Sequence, residues 1–239
     1  MNTISVDKKG VRMIAHRGVS GLEMENTLAA FVAAGNRSHF GIETDVHVTS
    51  DGKYAIIHDD NTGRVSAENK VVEETTLAEL QSIRLYDKQE GKYRTDLYIP
   101  VLAEYIGICK KYEKKAVLEL KNRMKPEDIA GIVEVIKELD YLDEVIFISF
   151  SWDNLIDLRA IVPEQKAQFL ISKNEEGLVE KLVAAKLDLD IHHKALSPEL
   201  IQALHENGRE VNCWTVDTAE DAEKYIAWGV DYITSNILE

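Results

Sequence analysis

The chain has 239 residues, 45% of them hydrophobic, which suits one α/β domain with a sizeable core and excludes a disordered segment. Lys and Arg total 28 against 42 Asp and Glu, a net charge of −14. Such a surface repels nucleic acid and anionic lipid at long range, yet a locally basic pocket could still take a small anionic substrate.

The N-terminal stretch "MNTISVDKKGVRMIAHRG" has no apolar run long enough for a secretion signal. No segment approaches the roughly twenty apolar residues of a membrane span. A soluble cytoplasmic protein without stable membrane insertion is expected. The two cysteines, Cys109 in a helical pattern and Cys213 in a strand pattern, have no metal or redox spacing and read as core thiols.

Short apolar runs alternate with amphipathic segments along the chain. The strand candidates are, in order, "RMIAH", "GIETDVHV", "YAIIH", "KAVLELK", "VIFISF", "AQFLIS", "LDLDIHH", "VNCWTV" and "DYITSN". The first helix, in "NTLAAFVAAGNR", is predicted to be capped by Asn26 and to stop near Gly35. Six more helical patterns follow from "LAEYIGICKKY" onward, two of them stopping at Gly208 and Gly229. Ser197 before Pro198, and Thr218 three residues before Asp221, mark helix starts. With "GIETDVHV" and "YAIIH" joined as one hairpin, eight strand–helix units remain, the last helix undeveloped. That order predicts a closed (β/α)8 TIM barrel in the α/β class, one domain over residues 1–239. No GxGxxG loop follows the first strand, which argues against a dinucleotide fold. Residues 60–98 break the rhythm after the second strand. They are too long for an ordinary connection and read as an insertion, either a surface loop or a partial lid.

Barrel active sites form at the C-terminal ends of strands. Those ends carry His16-Arg17-Gly18, Glu43 and Asp45, Glu119 and Lys121, Phe150, Asp190 with His192-His193, and Trp214. Residues two apart on a strand share a face, so Glu43 points with Asp45 and Glu119 with Lys121. A two-residue turn at Asp51-Gly52 would set His58 directly across from Asp45. Three carboxylates against Arg17 and Lys121 leave a net negative charge that a divalent cation would reverse. All-oxygen donors suit Mg²⁺ or Ca²⁺. The corner would then accept a phosphodiester, with Arg17 and Lys121 on its oxygens. His16 and His58 could move the two protons that P–O cleavage requires. His47 has no evident role, Trp214 alone reads as core, and His39 and His205 read as loop and helix-surface residues.

These residues resemble the glycerophosphodiester phosphodiesterase family of the bacterial type. The likeness lies in "IAHRG", "ENTLAAF", "GIETDVHVTSDGKYAIIHDDN", "IPVLAEYI", "LELK" and "CWTVDTAEDAEKYIAWGVDYITSN", and spans Met13 to Asn236. It implies a barrel with a short insertion after the second strand, and hydrolysis of glycerophosphodiesters to glycerol 3-phosphate and an alcohol. It implies His16 and His58 as the acid/base pair, and Glu43, Asp45 and Glu119 as ligands of one divalent cation. It places Arg17 and Lys121 on the phosphate and Trp214 against the alcohol moiety. In such enzymes a neighbouring substrate hydroxyl attacks first and water opens the cyclic phosphate. Three positions depart from the family pattern: Ala103, Asp217 where Asn is usual, and "TSN" at Thr234–Asn236. The alternatives are a lysophospholipase D-type phosphodiesterase, a lyase barrel with Lys121 as Schiff base, and a non-catalytic phosphate-ligand binder.

Overall fold

β1 (Arg12–Ala15) lies between the second strand and the last, and those two contacts close the sheet. The computed structural model describes residues 2–88 and 92–239. Its sheet runs β1, β9 (Tyr232–Ser235), β8 (Val211–Trp214), β7 (Asp188–His192), β6 (Ala167–Ile171), β5 (Val145–Ser149), β4 (Lys115–Leu120) and β2 (Gly41–Val48), and returns to β1. Every one of these pairings is parallel, so eight strands form the expected closed barrel. Only β3 (Tyr54–Ile56) is antiparallel, hanging from β2 as the hairpin arm.

Parallel strands covered on both faces need apolar residues on both. Outward side chains such as Ile42, Val46, Leu118, Phe147 and Leu189 pack under the helices in one large core. Inward Ile14, Val117, Ile146, Leu170 and Tyr232 fill the barrel as a separate cluster. Asp45 and Glu119 follow the Glu43–Val117 pair along β2 and β4, toward the C-terminal mouth where barrel chemistry sits.

The helices are α1 (Leu28–Gly35), α2 (Leu77–Ser82), α3 (Leu102–Lys111), α4 (Pro126–Glu138), α5 (Trp152–Ile161), α6 (Leu178–Ala185), α7 (Pro198–Glu206) and α8 (Ala219–Trp228). Ser197 and Thr218 cap α7 and α8 as expected, each accepting a hydrogen bond from a first-turn N–H. α1 differs from the sequence reading: its cap is Thr27, and the preceding Asn26 takes a left-handed conformation.

The hairpin register also differs. The Thr49 N–H donates to the Lys53 carbonyl at 2.8 Å, which encloses a three-residue loop ending in Gly52 at φ +69°. A type I turn followed by a left-handed glycine accommodates Asp-Gly as readily as a two-residue turn does. The register therefore pairs Val46 with Ile56 and His47 with Ala55. Asp45 faces Ile57, whose N–H donates to its carbonyl at 3.2 Å, and His58 lies one residue beyond the expected pairing.

The segment after β3 is packed rather than a bare loop. Val65, Val72, Leu80, Ile83, Leu85, Leu97 and Ile99 form a small core on Ala55 and Ile57. Residues 89–91 of the expected insertion lie outside the described residues.

Gly18 and Gly52 both have positive φ, but their surroundings differ. A Cβ on Gly18 would lie 2.6 Å from the Ala30 carbonyl carbon, whereas Gly52 faces open space. Gly18→Ala is expected to cost about 2–4 kcal/mol, combining strain with overpacking. Gly52→Ala should cost about 1 kcal/mol. Urea denaturation of both variants checks the difference; equal losses would mean that the approach to Ala30 carries no cost.

Candidate active site

Glu43 and Asp45 sit two residues apart on the inward face of β2. The β2–β4 register places Asp45 directly beside Glu119 and Glu43 beside Val117. One oxygen from each of the three carboxylates lies within 4.8 Å of the others, and all three residues are buried. Burial and then the charge of Asp45 push Glu119 up to about 8 and raise Glu43 as well. Asp45 goes the other way: burial opposes ionisation, but Lys121, Arg17 and His58 outweigh it and hold the carboxyl low.

The compensating groups are specific. Lys121 Nζ lies 2.9 Å from Glu119 and 3.6 Å from Asp45. Arg17 Nε lies 3.7 Å from Asp45. Arg17 and Gly18 both have positive φ, which curls the chain after β1 around Glu43. The Arg17 N–H donates to the Glu43 carboxylate at 2.7 Å, and the Gly18 N–H to the Glu43 carbonyl at 3.2 Å. Asn26 donates to Asp45 Oδ2 at 2.8 Å and accepts from the Thr44 hydroxyl at 2.7 Å. Asp45 Oδ1 has no hydrogen-bond partner. An all-carboxylate donor set with a buried oxygen that accepts no hydrogen bond, only the 3.6 Å ion pair to Lys121, fits a hard divalent cation, which would also relieve the repulsion among the acids.

Both expected histidines face the same pocket as Glu43 and Glu119. Each has its Nδ1 committed elsewhere. His16 Nδ1 is 2.8 Å from Asn236 Oδ1. That amide is oriented by Asp217, which accepts from its Nδ2 at 2.6 Å, so its oxygen faces the ring and His16 Nδ1 donates. His58 Nδ1 is 2.6 Å from Asp59. Asp59 accepts from Arg64 at 2.6 and 3.0 Å, Arg64 donates to Glu25 at 2.7 and 2.9 Å, and Arg17 donates to Glu25 at 2.9 Å. A chain of charge-assisted bonds thus joins Arg17 to His58. Burial, followed by the Arg17 charge, lowers His16 to about 4; burial also lowers His58.

His47 has a place after all. It is fully buried, meeting Glu73 at 3.1 Å through Nδ1 and the His58 carbonyl at 3.3 Å through Nε2. It therefore holds the backbone of His58. His39 lies in the loop between α1 and β2 as expected, buried against the Leu238 carbonyl at 3.0 Å, while exposed His205 on α7 meets Asp231 at 2.8 Å.

The remaining wall of the pocket is largely apolar, formed by Ile148, Phe150, Leu170 and Trp214. Trp214 meets Phe150 edge to face at 5.6 Å and His192 at 5.2 Å between ring centroids. His193 turns away toward the Tyr225 hydroxyl at 3.1 Å. Cys109 and Cys213 are free, buried thiols.

Sequence reasoning missed Asn26, Asp59 with Arg64, and the Asp217–Asn236 pair as orienting groups. One of these carried a signal: Asp217 and Asn236 both fall at departures from the family pattern.

A model of the glycerophosphoryl diester phosphodiesterase family matches residues 16–238. A glycerophosphodiester phosphodiesterase of Caldanaerobacter subterraneus subsp. tengcongensis is 32% identical over 230 residues, covering 94% of this chain and 93% of the relative. The structure of an Oleispira antarctica phosphodiesterase in complex with the product sn-glycerol-3-phosphate superposes with a TM-score of 0.86 at 28% identity, covering 98% of this chain and 96% of the other. A Galdieria sulphuraria structure gives a TM-score of 0.85 at 25% identity, covering 95% and 94%.

Removing the amide that holds Asp45 separates geometry from charge. Asn26→Ala is expected to weaken Mg²⁺ or Ca²⁺ affinity by about 10- to 100-fold in a calorimetric titration. Unchanged affinity would take Asn26 out of the site. Asp217→Ala is expected to lower kcat by about 10-fold or more by freeing Asn236 and so the His16 ring, with ion affinity within about 2-fold of the parent. A loss of ion affinity instead would place Asp217 among the supports of the acids.

Proposed function

The chain belongs to the glycerophosphoryl diester phosphodiesterase family, and on that premise we propose how its residues hydrolyse glycerophosphodiesters to glycerol 3-phosphate and an alcohol. The observation that carries the reading is the meeting of two histidines, three carboxylates and two cations at the mouth of one barrel.

Glu43, Asp45 and Glu119 would hold one divalent cation, Mg²⁺ or Ca²⁺. When bound, it supplies positive charge to a phosphoryl oxygen. Arg17 and Lys121 offset the remaining negative charge, Arg17 as a fork and Lys121 as a point charge. The two histidines keep Nε2 for proton transfer, because Nδ1 is engaged in each. Their partners differ. A carboxylate behind His58 favours the protonated ring, whereas burial and the Arg17 charge favour a neutral His16 despite the bond to Asn236. This assigns His16 as the base that takes a proton from the attacking hydroxyl, and His58 as the acid that protonates the leaving alkoxide. The same pair, with roles exchanged, serves a second step in which water opens a cyclic phosphate. Trp214 and its apolar neighbours border the alcohol side.

The Schiff-base alternative lacks its nucleophile. Burial favours a neutral Lys121, but Asp45 and Glu119 outweigh it and keep the amine protonated. The lysophospholipid alternative draws on the apolar wall of the pocket. No helix among the described residues is long and apolar enough to cross a membrane. The proposed setting is one domain over residues 1–239, acting in the cytoplasm on small glycerophosphodiesters.

The test is an assay of several glycerophosphodiesters and one lysophospholipid after exhaustive chelation, with Mg²⁺ or Ca²⁺ restored in turn. Activity should vanish on chelation and return with at least one of the two ions. His16→Ala and His58→Ala should each lose about 10²- to 10⁴-fold in kcat. Full turnover in the chelated protein, or in either variant, would sink the assignment.

A further inference from the structure

His58 is tied to β4 as well as to its own hairpin. His47 Nε2 lies 3.3 Å from the His58 carbonyl, and His47 Nδ1 lies 3.1 Å from Glu73 Oε1. The same Glu73 oxygen accepts from Asn122 Nδ2 at 2.9 Å. The second proton of that amide goes to Asp60 Oδ1 at 3.0 Å. Asn122 directly follows Lys121 beyond the end of β4. Asp60 lies two residues after His58, and Glu73 sits in the short helical turn Val72–Glu74. One amide group therefore joins the strand of Glu119 to His58 by two routes.

Both ends of this bridge are fixed. Asn122 takes a left-handed conformation at φ +49°, and its carbonyl accepts from Asn154 Nδ2 at 2.6 Å. Asn154, on α5, is fully buried and accepts from the Met124 N–H at 3.0 Å, so it clamps the turn after β4 at two points. The Lys121 N–H donates to the Val46 carbonyl at 3.2 Å, one residue before His47. At the other end the His47 ring is fully buried between its two partners.

Geometry decides what such a bridge can do. To protonate a leaving alkoxide, an imidazole must stand within hydrogen-bond reach of that oxygen. The place of the oxygen follows from the phosphate, and that of the phosphate from Lys121 and the acid corner. A misplacement of about 1 Å can cost about 100-fold. Asp59 orients the His58 ring, whereas the bridge sets where the His58 backbone stands relative to Lys121. We propose that Asn122 is a positioning residue for the general acid: through Glu73 and His47, and through Asp60, it registers His58 with the phosphate at Lys121. The role rests on the assignment of His58 as the acid in the proposed function, and adds what sets its distance from the leaving oxygen.

The test compares two substrates in single turnover, with protein in excess and Mg²⁺ or Ca²⁺ supplied. One is sn-glycero-3-phosphoethanolamine, whose alkoxide needs a proton to leave. The other is the p-nitrophenyl ester of glycerol 3-phosphate, whose phenolate leaves without one. Release of ethanolamine or nitrophenol reads the first step alone. His58→Ala should lose about 100-fold or more on the ethanolamine ester and less than about 5-fold on the nitrophenyl ester. Asn122→Ala and Glu73→Ala should show the same selectivity, with about 10-fold lost on the first ester and about 2-fold or less on the second. Both side chains are exposed, so both variants should fold. Equal losses on the two esters would mark a general loosening of the site and overturn the role, as would full activity of Asn122→Ala on the ethanolamine ester. Selectivity in His58→Ala without selectivity in Asn122→Ala removes the positioning role alone. Equal losses in His58→Ala itself remove the acid assignment and the role with it, and a parent that turns over neither ester removes the function.

Discussion

Three buried carboxylates share one corner of the barrel, and much of the mouth is arranged around their mutual repulsion. The parallel register leaves no freedom here, because pairing β2 with β4 sets Asp45 beside Glu119. Left alone, burial would neutralise the acids, as the elevated Glu119 and Glu43 already show. Lys121 meets Glu119 and Asp45, the Arg17 side chain and Asn26 meet Asp45, and the Arg17 N–H meets Glu43. Asp45 sits at the centre of these contacts and is the acid held ionised. A divalent cation would complete the compensation and lower the two raised acids together.

The turn at His16-Arg17-Gly18 converts that electrostatic need into backbone geometry. Two successive left-handed residues are uncommon outside glycine. Here they bring two N–H groups onto Glu43, and packing of Gly18 on Ala30 fixes the turn against α1. The same turn presents His16 toward the pocket and Arg17 toward Asp45. One short motif therefore places a proton carrier and a cation, and the strain it stores is offset by hydrogen bonds to a buried carboxylate.

The eight barrel strands, the caps of α7 and α8, and the acids and His16 at the strand ends were legible because they depend on one-dimensional patterns. Alternation puts Glu43 with Asp45 on one face, and strand-end position puts His16 at the mouth. The hairpin register was misread because Asp51-Gly52 satisfies a three-residue loop as well as a two-residue one. The contacts of the orienting groups were illegible for a different reason. Asn26 acts on Asp45 at a distance of 19 residues, and Asn236 on His16 at 220. Only closure of the barrel, which lays β9 against β1, makes the second contact. His47 was unplaced because its partners are the His58 backbone carbonyl and Glu73, 26 residues away, and no local pattern reveals either.

The segment after β3 bears on His58 in the same way that closure bears on His16. His58 follows Ile57, whose side chain belongs to the small core of that segment rather than to the barrel core. Its carbonyl is held by His47, and its ring by Asp59, which Arg64 of the same segment fixes through two bonds. Arg64 also reaches back to Glu25, just before α1 on the barrel side. His58 is thus suspended between two cores, and its position depends on how the segment docks. A surface loop would contribute nothing of this kind. Substitutions in Val65 or Leu80, which touch no reacting group, would act on the reaction through the placement of this one imidazole, whereas His16 would feel them only through the Arg17–Glu25–Arg64 bonds.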